Sequence, residues 1–197
     1  MPVMRELMFG PRRFGDLKRG LPGISANILT QRLESLAAAG VVRRRKLDPP
    51  ASVQVYELTK WGYEAGPIFQ AMGLWAARST QHDPAKPFSP VSLMLSFRTM
   101  MDAERARGLS GRIGFRLGSE SFLLRIDDGK VTPLRGTVAG ADLVFIGDPA
   151  ALAAGAYGGQ PLAALEASGA LKIEGDRALA ERFVTLFPLP SKAEMPV

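Results

Sequence analysis

The chain is 197 residues long, 46% apolar and 22% charged, which supplies enough apolar surface to exclude a wholly disordered chain. It holds no Cys and a single His, His82, which excludes a disulfide framework, a thiolate metal site, a Cys nucleophile and any metal site built on two histidines. The formal net charge of +6 lies wholly in residues 1–80, with 12 Lys+Arg against 6 Asp+Glu there and 13 against 13 beyond, so a basic unit precedes a neutral one.

In chain order, the first recognisable element is Phe14-Gly-Asp-Leu-Lys-Arg-Gly-Leu21. Phe14, Leu17 and Leu21 sit at i, i+3, i+7 and give it one apolar helical face. Pro22-Gly23 breaks it, and Ser25 follows as an N-cap. The run Ala26 to Ala39 carries Leu29, Leu33 and Leu36 as the buried stripe, and Gly40 closes it in a left-handed position. At about 100° per residue, Asn27 and Gln31 point away from the leucines. Thr30 and Glu34 flank them, and Arg32 stands at the border. Asn and Gln are the side chains that read adenine edges in a major groove. A solvated polar face is the ordinary alternative.

Val41-Val-Arg-Arg-Arg-Lys-Leu47, a turn over Asp48-Pro-Pro-Ala-Ser52 and the alternating Val53-Gln-Val-Tyr-Glu-Leu58 read as a β-hairpin. Arg43, Arg44, Arg45 and Lys46 are consecutive on its first strand, suited to phosphate or minor-groove contact. They also suit an edge strand protected by charge. Two helices, a tight turn and a hairpin make a winged helix-turn-helix. Thr59 caps a final helix, residues 60–78, which Pro67 is expected to kink. Its Tyr63, Ile68, Phe69, Met72, Leu74 and Trp75 fit either self-association or core packing.

These residues resemble the HxlR-type family of winged helix-turn-helix transcriptional regulators. The likeness runs from Arg5-Glu-Leu-Met-Phe-Gly-Pro-Arg-Arg-Phe-Gly-Asp-Leu17 through Leu21-Pro-Gly-Ile-Ser25, Leu29-Thr-Gln-Arg-Leu33, Ala39-Gly-Val-Val-Arg-Arg44 and Tyr56-Glu-Leu-Thr59. It implies a bacterial regulator that binds double-stranded DNA as a homodimer. The helix from Ser25 would enter the major groove, and the hairpin from Val42 to Leu58 would be the wing. The expected DNA-binding residues are Ser25, Asn27, Thr30, Gln31, Arg32, Arg43, Arg44, Arg45 and Lys46. Members usually begin with a further segment that carries a cysteine and most of a first helix. Here the chain opens at Met1-Pro-Val-Met-Arg-Glu-Leu7, midway through that helix, and redox sensing through that cysteine is not expected.

Residues 81–90 hold Pro84, Pro87, Pro90 and His82 among polar neighbours and read as a semi-rigid linker. Residues 91–187 read as α+β. A helix from Val91 to Ala106 precedes strands Arg112–Gly118 and Ser121–Asp127, with Asp128-Gly129 as a hairpin turn. Strand Asp142–Ile146, a helix capped by Asp148, a helix near Pro161–Ala167, strand Leu171–Ile173 and a helix capped by Asp176 complete it. Ile113, Phe115, Leu117, Phe122, Leu124 and Ile126 face one side of the sheet, and Arg112, Arg116 and Arg125 the other.

Ala141-Asp-Leu-Val-Phe-Ile-Gly-Asp-Pro149 and Leu165-Glu-Ala-Ser-Gly-Ala-Leu-Lys-Ile-Glu-Gly-Asp176 resemble the sterol carrier protein type 2 domain. That likeness implies a helix-covered sheet enclosing an apolar tunnel, with Phe97, Phe115, Phe122, Leu124 and Phe145 as candidate linings. A filled core is the alternative at each position. The fold expected overall is α+β: a winged helix-turn-helix domain (1–80), a linker (81–90), a sterol-carrier-like domain (91–187) and a trailing tail (188–197).

No catalytic constellation emerges. Asp127-Asp128 reads as turn chemistry, and Gly155-Ala-Tyr-Gly-Gly159 lacks the Lys-Ser/Thr of a phosphate loop. Neither an enzyme nor a cofactor is expected. No apolar run approaches the roughly 20 residues of a membrane span, and no signal-peptide pattern opens the chain, so a cytoplasmic protein is expected. The expected function is a dimeric DNA-binding regulator whose second domain binds an apolar small molecule. The alternatives are a lipid carrier whose basic unit meets a membrane or a protein, and a regulator whose second domain is only a scaffold.

Overall fold

A computed structural model describes residues 1–48, 50–81 and 88–194. The packing of the chain separates two compact units, Met1–Phe69 and Gln70–Val197. His82, Pro84 and Pro87, and with them most of the expected linker, lie outside the described residues.

The first unit runs α1 (Pro2–Glu6), α2 (Phe14–Gly20), α3 (Ala26–Ala38), β1 (Val42–Lys46), β2 (Gln54–Leu58), α4 (Lys60–Tyr63) and the start of α5 (Gly66–Ala77). This is the expected order of a winged helix-turn-helix. Its core is Val3, Leu7, Leu17, Leu21, Leu29, Leu33, Val42, Val55 and Leu58. Each such side chain contributes about 1.5–3 kcal/mol on burial. Leu36, expected in the stripe, is only half-buried. The helix expected over residues 60–78 is two helices, not one kinked helix. A proline ring clashes with the carbonyl four residues earlier and has no N–H to donate. For Pro67 that carbonyl belongs to Tyr63, where α4 ends, and Pro67 sits in the first turn of α5.

A polar cluster is buried beside α1. Glu6 is fully buried and accepts from Arg5 Nε (3.2 Å) and Nη2 (3.1 Å) and from Arg12 Nη1 (3.3 Å). Arg12 and Tyr56 exchange backbone hydrogen bonds (2.9 and 2.8 Å), which fastens the segment after α1 to the middle of β2.

The second unit holds α6 (Pro90–Met100), β3 (Ser110–Leu117), β4 (Glu120–Asp127), β5 (Lys130–Arg135), β6 (Leu143–Gly147), α7 (Pro149–Gly158), α8 (Leu162–Ala167), β7 (Leu171–Gly175) and α9 (Arg177–Val184). The sheet order is β5-β4-β3-β6-β7, antiparallel except for the β3–β6 pair. Ile113 faces Leu124 and Phe115 faces Phe122, so the expected apolar face is one continuous surface. Arg112, Arg116 and Arg125 are exposed on the other. Asp128 (φ 43°) and Gly129 (φ 78°) form the tight turn between β4 and β5. Caps at Ser89, Asp148 and Asp176 accept from Ser92, Ala150 and Leu179 amides. Pro90, read as linker, is instead the first residue of α6.

The tail does not simply trail off. Lys192 Nζ donates to the carbonyls of Ala77 (3.0 Å) and Ser79 (3.1 Å), and the Ala193 amide donates to Arg78 O (2.8 Å). A lysine there satisfies carbonyls left open at the end of α5 and meets the negative end of its dipole.

Candidate nucleic-acid interface and effector cleft

Local chemistry fixes α3. Ser25 is extended (φ −76°, ψ 156°), and its side chain accepts from the Ile28 amide at 3.2 Å. Leu29 and Leu33 anchor the inner face. At the far end Gly40 adopts φ +71°, and the Val41 amide reaches back to Leu36 O at 2.9 Å. This is the left-handed stop expected at that glycine. Asn27, Thr30, Gln31, Arg32 and Glu34 are all exposed on the outer face. Ile28 stands among them 46% exposed, an apolar member of this face that polarity-based reading overlooks.

Thr59 ties the end of α3 to the wing. Its Oγ1 donates to Gly40 O (2.8 Å) and accepts from the Gly62 amide (3.1 Å). Gly62 leaves no alternative side chain, because a Cβ there would stand 2.3 Å from Val41 O.

Arg43, Arg44, Arg45 and Lys46 are all exposed on β1, but they are not equivalent. Arg43 lies opposite Glu57 across the hairpin. Arg43 Nε donates to Glu57 Oε1 at 2.6 Å, and Arg45 Nε meets the same oxygen at 2.9 Å. Glu57 is only 7% exposed. Burial by itself raises its carboxyl, but the hydrogen bonds and charges of Arg45 and Arg43 outweigh burial and hold it below the ordinary carboxylate range. On the other face Arg44 Nη2 donates to Gln54 Oε1 at 2.6 Å. Among the described residues Lys46 meets no carboxylate. All nine expected DNA-binding residues are thus at the surface, on α3 and β1, elements packed beside each other. Sequence reading missed Glu57, whose place opposite Arg43 depends on the hairpin register.

In the second unit Phe97, Phe115, Phe122, Leu124 and Phe145 are fully buried. Phe97, Phe115 and Phe145 join Phe183 and Phe187 in one cluster, with neighbouring ring centroids 4.5 to 5.9 Å apart. Phe122 instead carries the Arg135 guanidinium 5.3 Å above its ring. None of the five lines the cleft of about 410 Å³ bordered by Arg105, Tyr157, Gln160, Leu162, Glu181 and Phe187. The cleft nevertheless meets the cluster, since Phe187 belongs to both and Tyr157 lies 6.2 Å from Phe97, centroid to centroid. Burial raises the Tyr157 phenol, offset in part by its hydrogen bond to Ser96 Oγ at 2.7 Å.

Among the described residues no group of three or more His, Cys, Asp or Glu could hold a metal ion. No helix there is long and apolar enough to cross a membrane.

Comparison with known proteins matches both halves. A family model described as HxlR-like helix-turn-helix covers residues 1–84, and one described as SCP-2 sterol transfer family covers residues 95–188. HTH-type transcriptional regulator YodB of Bacillus subtilis is 34% identical over 74 residues, 38% of this chain and 66% of YodB. HTH-type transcriptional regulator YkvN of the same organism is 32% identical over 84 residues, 43% of this chain and 71% of YkvN. The chain therefore spans about two thirds of the length of these curated relatives. Among solved structures, the sec-alkylsulfatase Pisa1 of Pseudomonas sp. is similar with a TM-score of 0.50 at 19% identity, over 66% of this chain and 21% of that one, a likeness of fold.

Proposed function

The chain belongs to the HxlR-like helix-turn-helix family, and from that premise we propose that it is a transcriptional regulator that binds double-stranded DNA as a homodimer and carries an effector-binding SCP-2-type domain. The observation that carries this reading is the outer face of α3, where Asn27, Thr30 and Gln31 are exposed opposite Leu29 and Leu33. Asn27 and Gln31 have the paired donor and acceptor that match adenine in the major groove. Ile28 offers an apolar contact for a thymine methyl group. Arg32, Arg44 and Lys46 meet phosphates, which fix register but carry no sequence information.

Homodimerisation rests on α5. Ile68, Met72 and Trp75 lie at i, i+4, i+7 and are strongly exposed, Trp75 by 76%. A second copy covers this stripe. Two α3 helices then read two half-sites about 34–36 Å apart. In the C-terminal domain an apolar effector enters the cleft against Phe187 and Tyr157, next to the cluster that holds Phe97, Phe115 and Phe145. It acts on DNA binding to the extent that it prefers one spacing of the recognition helices.

Selection from random duplexes tests the reading. The expected product is a near-palindromic site, with Gln31→Ala relaxing one base position per half-site and Arg44→Ala weakening all duplexes alike. Absence of any sequence preference, together with lipid transfer between vesicles, would instead identify a carrier.

A further inference from the structure

The wing cations are organised by a residue that, on charge alone, ought to hinder DNA binding. Glu57 is nearly buried, and both Arg43 and Arg45 reach its Oε1 through Nε. Using Nε for this contact leaves the Nη atoms of both guanidiniums free of any partner among the described residues. The two side chains remain 65% and 41% exposed. Alternation along β1 puts Arg43 and Arg45 on one face two residues apart, where two unpaired guanidiniums would repel and spread. The shared oxygen draws them together. The set of three then carries one net positive charge, which matches one phosphodiester.

We propose that Glu57 is a positioning residue for DNA binding: it gathers Arg43 and Arg45 into a two-guanidinium clamp for a single backbone phosphate. Arginine suits this task because its planar fork meets phosphate oxygens pairwise. Holding each fork by Nε in the free protein removes rotamer freedom that binding would otherwise have to remove. The proposal rests on the regulator reading and adds a sign that electrostatics alone does not give. A mere counter-charge predicts tighter DNA binding once Glu57 is neutralised, whereas a positioning residue predicts weaker binding.

The test uses the full chain and fluorescence anisotropy on two labelled duplexes, one selected by the wild type and one of unrelated sequence. Glu57→Gln is expected to weaken binding to both duplexes about tenfold, the scale of one charge-assisted hydrogen bond, because a phosphate contact carries no sequence information. In an Arg43→Ala/Arg45→Ala background, Glu57→Gln is expected to change nothing further. Arg43→Lys/Arg45→Lys keeps the charge but loses the fork. It is expected to reproduce the loss, and it keeps the test open should Glu57→Gln fail to fold. Equal tightening on both duplexes overturns the clamp and leaves Glu57 as a counter-charge. A wild type that discriminates no duplex overturns the regulator reading, and the clamp falls with it.

Discussion

Among the described residues Arg44 and Lys46 are the wing cations that meet no carboxylate, and replacing both by alanine gives the sharpest electrostatic test. Among the described residues Arg44 bonds the neutral Gln54 and no acid, and Lys46 meets no acid, so each presents a full charge. Each phosphate neutralised on duplex DNA contributes about −0.9 to the slope of log K against log salt. The double variant therefore loses about 1.8 per protomer, or about 3.6 per dimer. Between 50 and 200 mM salt, wild-type affinity should fall about 150-fold more than that of the variant. Arg43→Ala alone takes the Arg43–Glu57–Arg45 set from one net charge to none and should remove only about 0.9 per protomer. The measurement is a salt series of anisotropy titrations, with melting curves expected to stay unchanged because both side chains are exposed. An unaltered slope would refute the assignment of these two residues to phosphates.

Three further outcomes follow from the same geometry. Phe183 has four ring neighbours, Phe97, Phe115, Phe145 and Phe187; Phe183→Ala should destabilise the second unit by about 3–5 kcal/mol, and calorimetry showing no displaced transition would contradict the cluster's role. Met72→Glu places a charge on the exposed stripe of α5 and should yield monomers by light scattering, whereas an unchanged dimer mass would move the interface elsewhere. The Glu57 carboxyl is lowered in the folded state, so its contribution to stability is complete above the ordinary carboxylate pKa and is lost as pH falls through the folded value. Wild type should therefore lose more stability than Glu57→Gln on acidification, and parallel curves would argue against the pairing.

Helix α3 was legible because local signals agree. Ser25 caps it, Leu29 and Leu33 face inward, and Gly40 stops it in the left-handed conformation that the sequence called for. The sheet was legible because two-residue alternation separates Phe115 and Phe122 from Arg112 and Arg116. What escaped depends on contacts distant in sequence. Whether Arg43 meets Glu57 depends on the turn between β1 and β2, since a shift of one residue would put Glu57 on the opposite face. The anchoring of Lys192 on Ala77 joins residues 115 apart. The position of the cleft depends on how α7, α8 and α9 pack, and no periodicity within one helix encodes that. The break before Pro67 was within reach, because the clash with the Tyr63 carbonyl is a local rule.

The most direct measurement is a crystal structure of the chain with its selected duplex. The account predicts α3 in the major groove, with the side-chain amides of Asn27 and Gln31 within hydrogen-bonding distance of base edges. A complex in which that face of α3 meets solvent or another protein surface, while DNA lies elsewhere, would contradict it.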